Sequence, residues 1–543
     1  RFFAGMQEVL DKTLAMPQFA GLEAGMTGGN LIQDFESDKG LTSGFLFTGI
    51  LTLAVIILIF ALSFKRPLLP LATALPLVLG VALAAAVASI AFGGLNIFSM
   101  CFAVLLLGMG IDYAIHILSR YGEQRMSGDG LEEALTHTIE KTGMSMLIGT
   151  ATTALTFLSF LFAKMNAFEQ MGIISALGIF LAMGSQILVT PALIAWADLK
   201  KSKNEKKYAG AAAFRFMEPV GKLCARHGIA LAIITVGVMA ALFPNVRNVS
   251  VNGDVSSLYP DSLPSLKWLE MVKEEFEYNP DEISLMANDI DQLYIMTSEL
   301  NALESIGTVD SIAQYLPEDK ALREATLAYL PDAVKDKYIG KTGKFLIKVT
   351  ANGDIWDSDR IAKVREDLSS ITPYLGGMPV LMDEVVGIVI DDAILCSGLA
   401  ALAILIILLV MFRSLKLAFL AFLPIAATVY FLFGLLPVFG GELTLTSVIA
   451  IPLVIGIGVS GAVHITNRVK ATNDIPSTLV FTGKAVILSA VTTLIGFGSL
   501  MFSGHPALAD LGLVVTGGLS ISLLLNLILL PAILGIGMSK PKR

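Results

Sequence analysis

Acidic and imidazole side chains inside apolar runs are where this sequence can do chemistry. Asp112 is the only acid deep inside a stretch long and apolar enough to cross a membrane. A carboxylate in hydrocarbon is costly unless a partner or a proton neutralises it, which makes an intramembrane acid a candidate for loading and releasing protons. Tyr113 follows it and can donate a hydrogen bond to the carboxylate. His116 lies one turn on, at i+4, on nearly the same helix face. The plainer reading of Asp112 is a static hydrogen-bonding residue between packed helices.

The same pattern returns later. Gly108 to Arg120 (GMGIDYAIHILSR) matches Gly456 to Arg468 (GIGVSGAVHITNR) at an offset of 348, so Ser460 and His464 stand where Asp112 and His116 stand in the first copy. That offset also aligns Phe64 with Phe412, Pro76 with Pro424 and Gly93 with Gly441. After a shorter loop the offset becomes 340 and pairs Thr152-Thr153 with Thr492-Thr493, Gly172 with Gly512 and Pro191 with Pro531. The threonine pairs can hydrogen-bond across helices at membrane depth, as packing contacts or as part of a polar relay with the two histidines. The glycines permit close helix approach. Five consecutive spans are thus duplicated in parallel orientation, a known transporter plan.

The elements that must hold these residues follow from composition. Of 543 residues, 55% are hydrophobic and 15% charged, and mean hydropathy is +0.73. A soluble domain carries about 25% charged residues, so a cytosolic enzyme and a disordered scaffold are both excluded. Long apolar runs without alternation argue against a membrane barrel. Stretches free of charge cover 40–64, 67–111, 142–163, 170–197, 227–246, 393–412, 417–441, 443–467, 485–509 and 511–539. The 45-residue run 67–111 breaks at Gly93-Gly94, which gives eleven expected spans. The loops 65–66, 114–141, 198–226, 413–416 and 468–484 and the tail hold 21 Lys and Arg, while the short loops on the other side hold only Lys164. The first set, with the C-terminus, is therefore expected in the cytoplasm. By parity residues 1–39 then lie outside with no span to lead them there, and the chain reads as lacking at least one preceding span.

Segment 244–392 carries 13 basic and 27 acidic residues, and the expected topology places it outside the membrane, which is compatible with the positive-inside rule because long domains translocate regardless of charge. It reads as mixed α/β, with strands near 281–286, 293–297 and 344–350 and helices near 264–276, 298–305 and 358–371. The expected organisation is residues 1–44 as the C-terminal remnant of a first outer domain, then 45–197 as the first transmembrane repeat. After these come 198–226 as a basic cytoplasmic linker, 227–246 as the first span of the second half, 247–392 as the outer α/β domain and 393–539 as the second repeat. The Lys200–Lys207 stretch obeys the positive-inside rule, with anionic headgroups as a lesser partner. There is no phosphate-binding loop, hydrolase elbow, metal cluster or nucleic-acid module. No cofactor is expected, and the three cysteines suggest no disulfide framework.

The parallel repeat, the α/β outer domain and the Gly108-x-Gly110-x-Asp112-Tyr113 signature resemble the resistance–nodulation–division (RND) superfamily. Within it the chain is similar to the MMPL branch, the hopanoid-exporter-like proteins and the related sterol-sensing domains. Ser503-Gly-His505-Pro506 before the last span fits that branch. The resemblance implies a polytopic α-helical RND fold, with eleven of twelve spans present, in the inner membrane. It implies export of a hydrophobic or lipid-like substrate driven by proton entry, with Asp112 and Tyr113 as the relay pair. Periplasmic partner proteins and homo-oligomers are compatible with it. Lipid exporters of this kind often carry a second Asp-Tyr pair where this chain has Ser460-Gly461, so ion stoichiometry does not carry over. A non-transporting sterol-sensing-like receptor or scaffold, and an accessory subunit of an envelope-assembly machine, are the rival readings.

Overall fold

The structure, a computed structural model, describes residues 2–28, 38–64, 68–93, 97–199, 214–249, 251–253, 263–276, 281–439 and 441–536. The Lys200–Lys207 stretch and Gly94 lie outside the described residues. The chain divides into two compact units. One comprises Arg1–Asp38 and Val251–Ile388, the other Lys39–Ser250 and Val389–Arg543.

The second unit is helical. Its long helices are α1 Asp38–Phe64, α2 Leu68–Phe92, α3 Ile97–Met126, α4 Leu131–Leu158, α5 Asn166–Leu199, α6 Glu218–Arg247, the part of α7 Met378–Phe412 from Val389 onward, α8 Leu415–Leu435, α9 Ala450–Thr472, α10 Ile475–Leu500 and α11 Pro506–Leu527. Among the described residues, nine helices are long and apolar enough to cross a membrane, and Phe47–Ile59 adds a shorter apolar stretch. The chain is a multi-pass membrane protein. Local chemistry sets the helix boundaries. Ser414 caps α8 by accepting from Leu417 N, and Asp474 caps α10 by accepting from Ser477 N. α9 ends where Asn473 turns left-handed, at φ 52°. Helix α6 starts at Glu218, upstream of the expected 227. The charge-free stretch ends at Arg226, but helical residues extend back to Glu218, whose carboxylate pairs with Lys222 one turn away at 2.6 Å. Its backbone leaves helical geometry at His227 (φ −120°, ψ 29°).

Burial separates centre from periphery. The apolar stretch of α9 is 67% buried, whereas that of α6 is not buried at all. The two repeats meet through α3 against α10 and α9 against α4. This contact is reciprocal. Thr153 Oγ1 donates to Gly456 O at 3.3 Å, and its repeat counterpart Thr493 donates to Gly108 O at 3.5 Å. A Cβ on Gly496 would lie 2.9 Å from Gly108 Cα, so these two backbones touch. Residues i and j exchanging partners in this way are the mark of pseudo-twofold association.

The repeats differ where their first helices join the far end of the bundle. On α7, buried Asp392 accepts from Lys164 N at 2.9 Å and Met165 N at 3.0 Å, clamping the connection between α4 and α5. Its repeat counterpart on α1 is Gly44, which has no side chain to offer and lies directly against the carbonyl of Ser503.

The first unit contains a four-stranded antiparallel sheet. Its strands are β1 Ile283–Ala287, β2 Ile306–Ser311, β3 Phe345–Ala351 and β4 Leu375–Gly376, in the order β2-β3-β1-β4. Leu285 pairs with Ile347, and Val309 with Val349. Strict alternation along β3 buries Phe345, Ile347, Val349 and Ala351 in the core. The expected strand at 293–297 is helical, within Ile290–Asn301. Asp289 accepts from Gln292 N at 2.8 Å, and Leu293, Met296 and Leu300 share the buried face, so a cap and a helical period override the apolar run. Of the helix expected at 298–305, residues 298–301 belong to this element, and 302–305 form the turn into β2.

Candidate functional site

Asp112, on α3, lies half-buried in the seam between the repeats. Its Oδ1 accepts from Thr492 Oγ1 of α10 at 3.3 Å, and Ser489 of the same helix also hydrogen-bonds it. Two small cavities flank it. One is shared with Ser460, Ser489, Ser522 and Asn526, the other with Tyr113, Gly149, Thr153 and Ser460. Neither is lined by Lys or Arg among the described residues. The carboxylate therefore shares its surroundings with hydroxyls, an amide and the His116 and His464 rings, and with no lysine or arginine among the described residues.

Tyr113 borders one of the Asp112 cavities, but its hydroxyl bonds elsewhere. Its hydroxyl pairs with Thr150 Oγ1 of α4 at 2.7 Å. Consecutive helix residues diverge by about 100°, so Tyr113 turns to the first repeat's own α4 while Asp112 turns to the second repeat. The donors to Asp112 come instead from α10.

The expected residues converge otherwise. His116 and His464 stack face to face, with ring centroids 4.2 Å apart and planes 23° from parallel. Equal repeat positions in direct contact place this pair on the pseudo-twofold axis. Both rings border the Asp112 cavities and also a larger cavity on the side towards Arg120. Ser460 lines both Asp112 cavities. Thr152 bonds within its own helix, to Gly149 O at 2.7 Å, whereas Thr153 and Thr493 cross the seam.

The structure adds Ser489, Ser522, Asn526 and Thr150. Asn526 Nδ2 donates to Gly458 O at 3.1 Å, and a Cβ on Gly461 would lie 3.1 Å from that nitrogen and 3.1 Å from Val486 Cγ1. A side chain at 461 would require the Asn526 and Val486 side chains to give way. The repeat offset could have exposed this amide, since Asn526 corresponds to Gln186 in the first copy.

Asp129, Glu133 and His137, around the start of α4, bring one ligand atom each within 4.8 Å of the others. His137 Nδ1 and Asp129 Oδ2 already contact each other at 3.3 Å, and nothing further marks a metal centre.

The sequence pattern behind this geometry is matched by the MMPL family model over residues 5–226 and 340–543. The chain belongs to the MMPL family. One MMPL relative, hopanoid transporter HpnN of Rhodopseudomonas palustris, is 24% identical over 96% of this chain and 70% of its own length. The HpnN of Burkholderia multivorans is 24% identical over 58% of this chain and 35% of its own. Among solved structures, SecDF of Thermus thermophilus, a translocon-associated membrane protein, superposes with a TM-score of 0.59 at 14% identity. That match covers 92% of this chain and 63% of SecDF, so the two share the fold.

Proposed function

We propose that this MMPL-family chain is a proton-motive-force-driven secondary transporter of the inner membrane that exports a hydrophobic or lipid-like substrate. In this reading the acidic unit lies outside and the C-terminus in the cytoplasm. Asp112 is the coupling carboxylate, the stacked histidines form its polar link to the Arg120-side cavity, and Ser460, Thr492 and Thr493 complete the relay. Hopanoids, named for the two relatives, are the first substrate class to test.

One observation carries this reading. The carboxylate sits in the seam between the repeats, and its donors come from the opposite half. Gaining or losing a proton changes the charge at that seam, where differential hydration of two arrangements can bias one against the other. Substrate binding alone would need no uncompensated acid there.

The test is efflux of a hopanoid from vesicles with an imposed pH gradient. Asp112→Asn keeps the shape and cannot ionise, so it should abolish gradient-driven efflux while the protein stays folded and inserted. Wild-type efflux in this variant would remove Asp112 from coupling. Ser460-Gly461, in place of a second acid pair, favours the sterol-sensing-like receptor as the second reading. That receptor would bind the lipid with no response to the gradient in any variant.

A further inference from the structure

On the far side of the histidine stack from Asp112 lies the larger cavity, with a volume of about 240 Å³. Among the described residues its lining includes Arg120, Lys141 and Arg468 and a single acid, Glu123. Three cations thus face one carboxylate, leaving two positive charges in excess. Arg120 and Arg468 occupy the same repeat position, one from each half. Both turn to Glu123, Arg120 Nη1 at 2.6 Å and Arg468 Nη2 at 3.6 Å. The repeat counterpart of Glu123 is Ala471, so one carboxylate serves two guanidinium groups. Arg468 Nε and Ser119 Oγ, both from lining residues, are buried without a hydrogen-bond partner.

We propose that this vestibule is a binding site for a phosphate-type oxyanion, held by Arg120, Arg468 and Lys141 in competition with Glu123. The shared chemistry is that of inorganic phosphate or of an anionic phospholipid headgroup. A guanidinium offers a planar fork that matches two oxygens of such a group, and at 3.6 Å Glu123 makes no hydrogen bond to Arg468. Lysine adds a point charge and the Ser119 hydroxyl a further donor. A concave site carrying excess charge of one sign concentrates counter-ions. The excess also adjoins the histidine pair, so an unfilled vestibule repels a proton arriving there and a filled one does not. Glu123 in effect stands in for part of the ligand.

The experiment is a titration of the purified full chain in non-ionic detergent with inorganic phosphate, followed by 31P line broadening. Its readout is independent of transport, so it stands or falls apart from the role given to Asp112. Saturable binding is expected, displaced by sulfate and insensitive to chloride. Arg468→Gln and Arg120→Gln should each weaken it at least tenfold. Arg468→Lys, which keeps the charge and loses the fork, should weaken it about threefold. Glu123→Gln should tighten binding at least threefold, a gain that misfolding cannot produce. Repeating the titration in nanodiscs containing phosphatidylglycerol separates the sources. A tenfold loss of apparent phosphate affinity there identifies the headgroup as occupant, and an unchanged affinity identifies free phosphate. No saturable binding, or binding that Arg468→Gln and Glu123→Gln leave unchanged, overturns the proposal.

Discussion

Tyr113 shows how far a residue's neighbours in sequence can mislead about its neighbours in space. Its hydroxyl meets Thr150 at 2.7 Å and leaves the adjacent carboxylate to donors from α10. Tyr113→Phe should therefore cost about 1 kcal/mol of stability, the net worth of an ordinary internal hydrogen bond. It should leave gradient-driven efflux within about threefold of wild type, since a bound water can replace a peripheral hydroxyl. A thermal melt beside vesicle efflux checks both numbers, and a loss as deep as that of Asp112→Asn would return Tyr113 to the relay. Ser460→Ala should be similarly mild, because Ser460 lines the cavities without being the group that ionises. Asp112, His116 and His464 were legible in the sequence because charge and imidazole are rare in apolar runs. Ser489 and Asn526 were not. Polar uncharged residues are common in membrane helices, and only packing shows which of them face an acid.

Packing between elements rests on backbone contact at the α3–α10 seam. Gly496→Ala puts a methyl group 2.9 Å from Gly108 Cα, and backbone cannot yield as a flexible side chain does. Such overpacking costs roughly 1–3 kcal/mol, so a melting temperature measured in detergent should fall by several degrees. Gly237→Ala, with open space around it, should not change it beyond the helix-propensity gain. In the other unit, Asp310 on β2 accepts from Tyr338 at 2.6 Å, Gln314 at 2.9 Å and Lys337 at 3.1 Å. Burial pulls its carboxyl up, but these three donors outweigh it and hold the group below the ordinary carboxylate value. A depressed folded value stabilises the fold above the ordinary value of about 3.9 and loses that contribution as pH falls through the folded one. The protection of amides around residues 306–315, taken relative to their intrinsic exchange rates, should fall between pH 5 and pH 3 in the wild type. Asp310→Asn should flatten that dependence. The sheet also marks the limit of pattern reading. Strict alternation made β3 visible, whereas Tyr294-Ile295-Met296 looked like a strand until Asp289 was seen to cap a helix.

At the scale of the molecule the halves are alike in their spans and unlike in their joints. Asp392 clamps two backbone N–H groups where Gly44 can only make contact. Asp392→Ala should cost roughly 1–3 kcal/mol for each N–H group it orphans. Asp392→Asn should recover part of that, and exchange at Lys164 and Met165 should report the difference. Duplication was readable from a constant offset, but which copy carries the clamp was not, since a lone acid at the edge of a span resembles any charged flank. The histidine stack takes the duplication to its limit. A gene that doubles normally leaves two of each working part, and either may drift while the other serves. A pair that meets its own image across an axis has no spare. A change at either histidine alters the same contact, so the two positions are bound to a common fate, and whatever passes between them passes in single file.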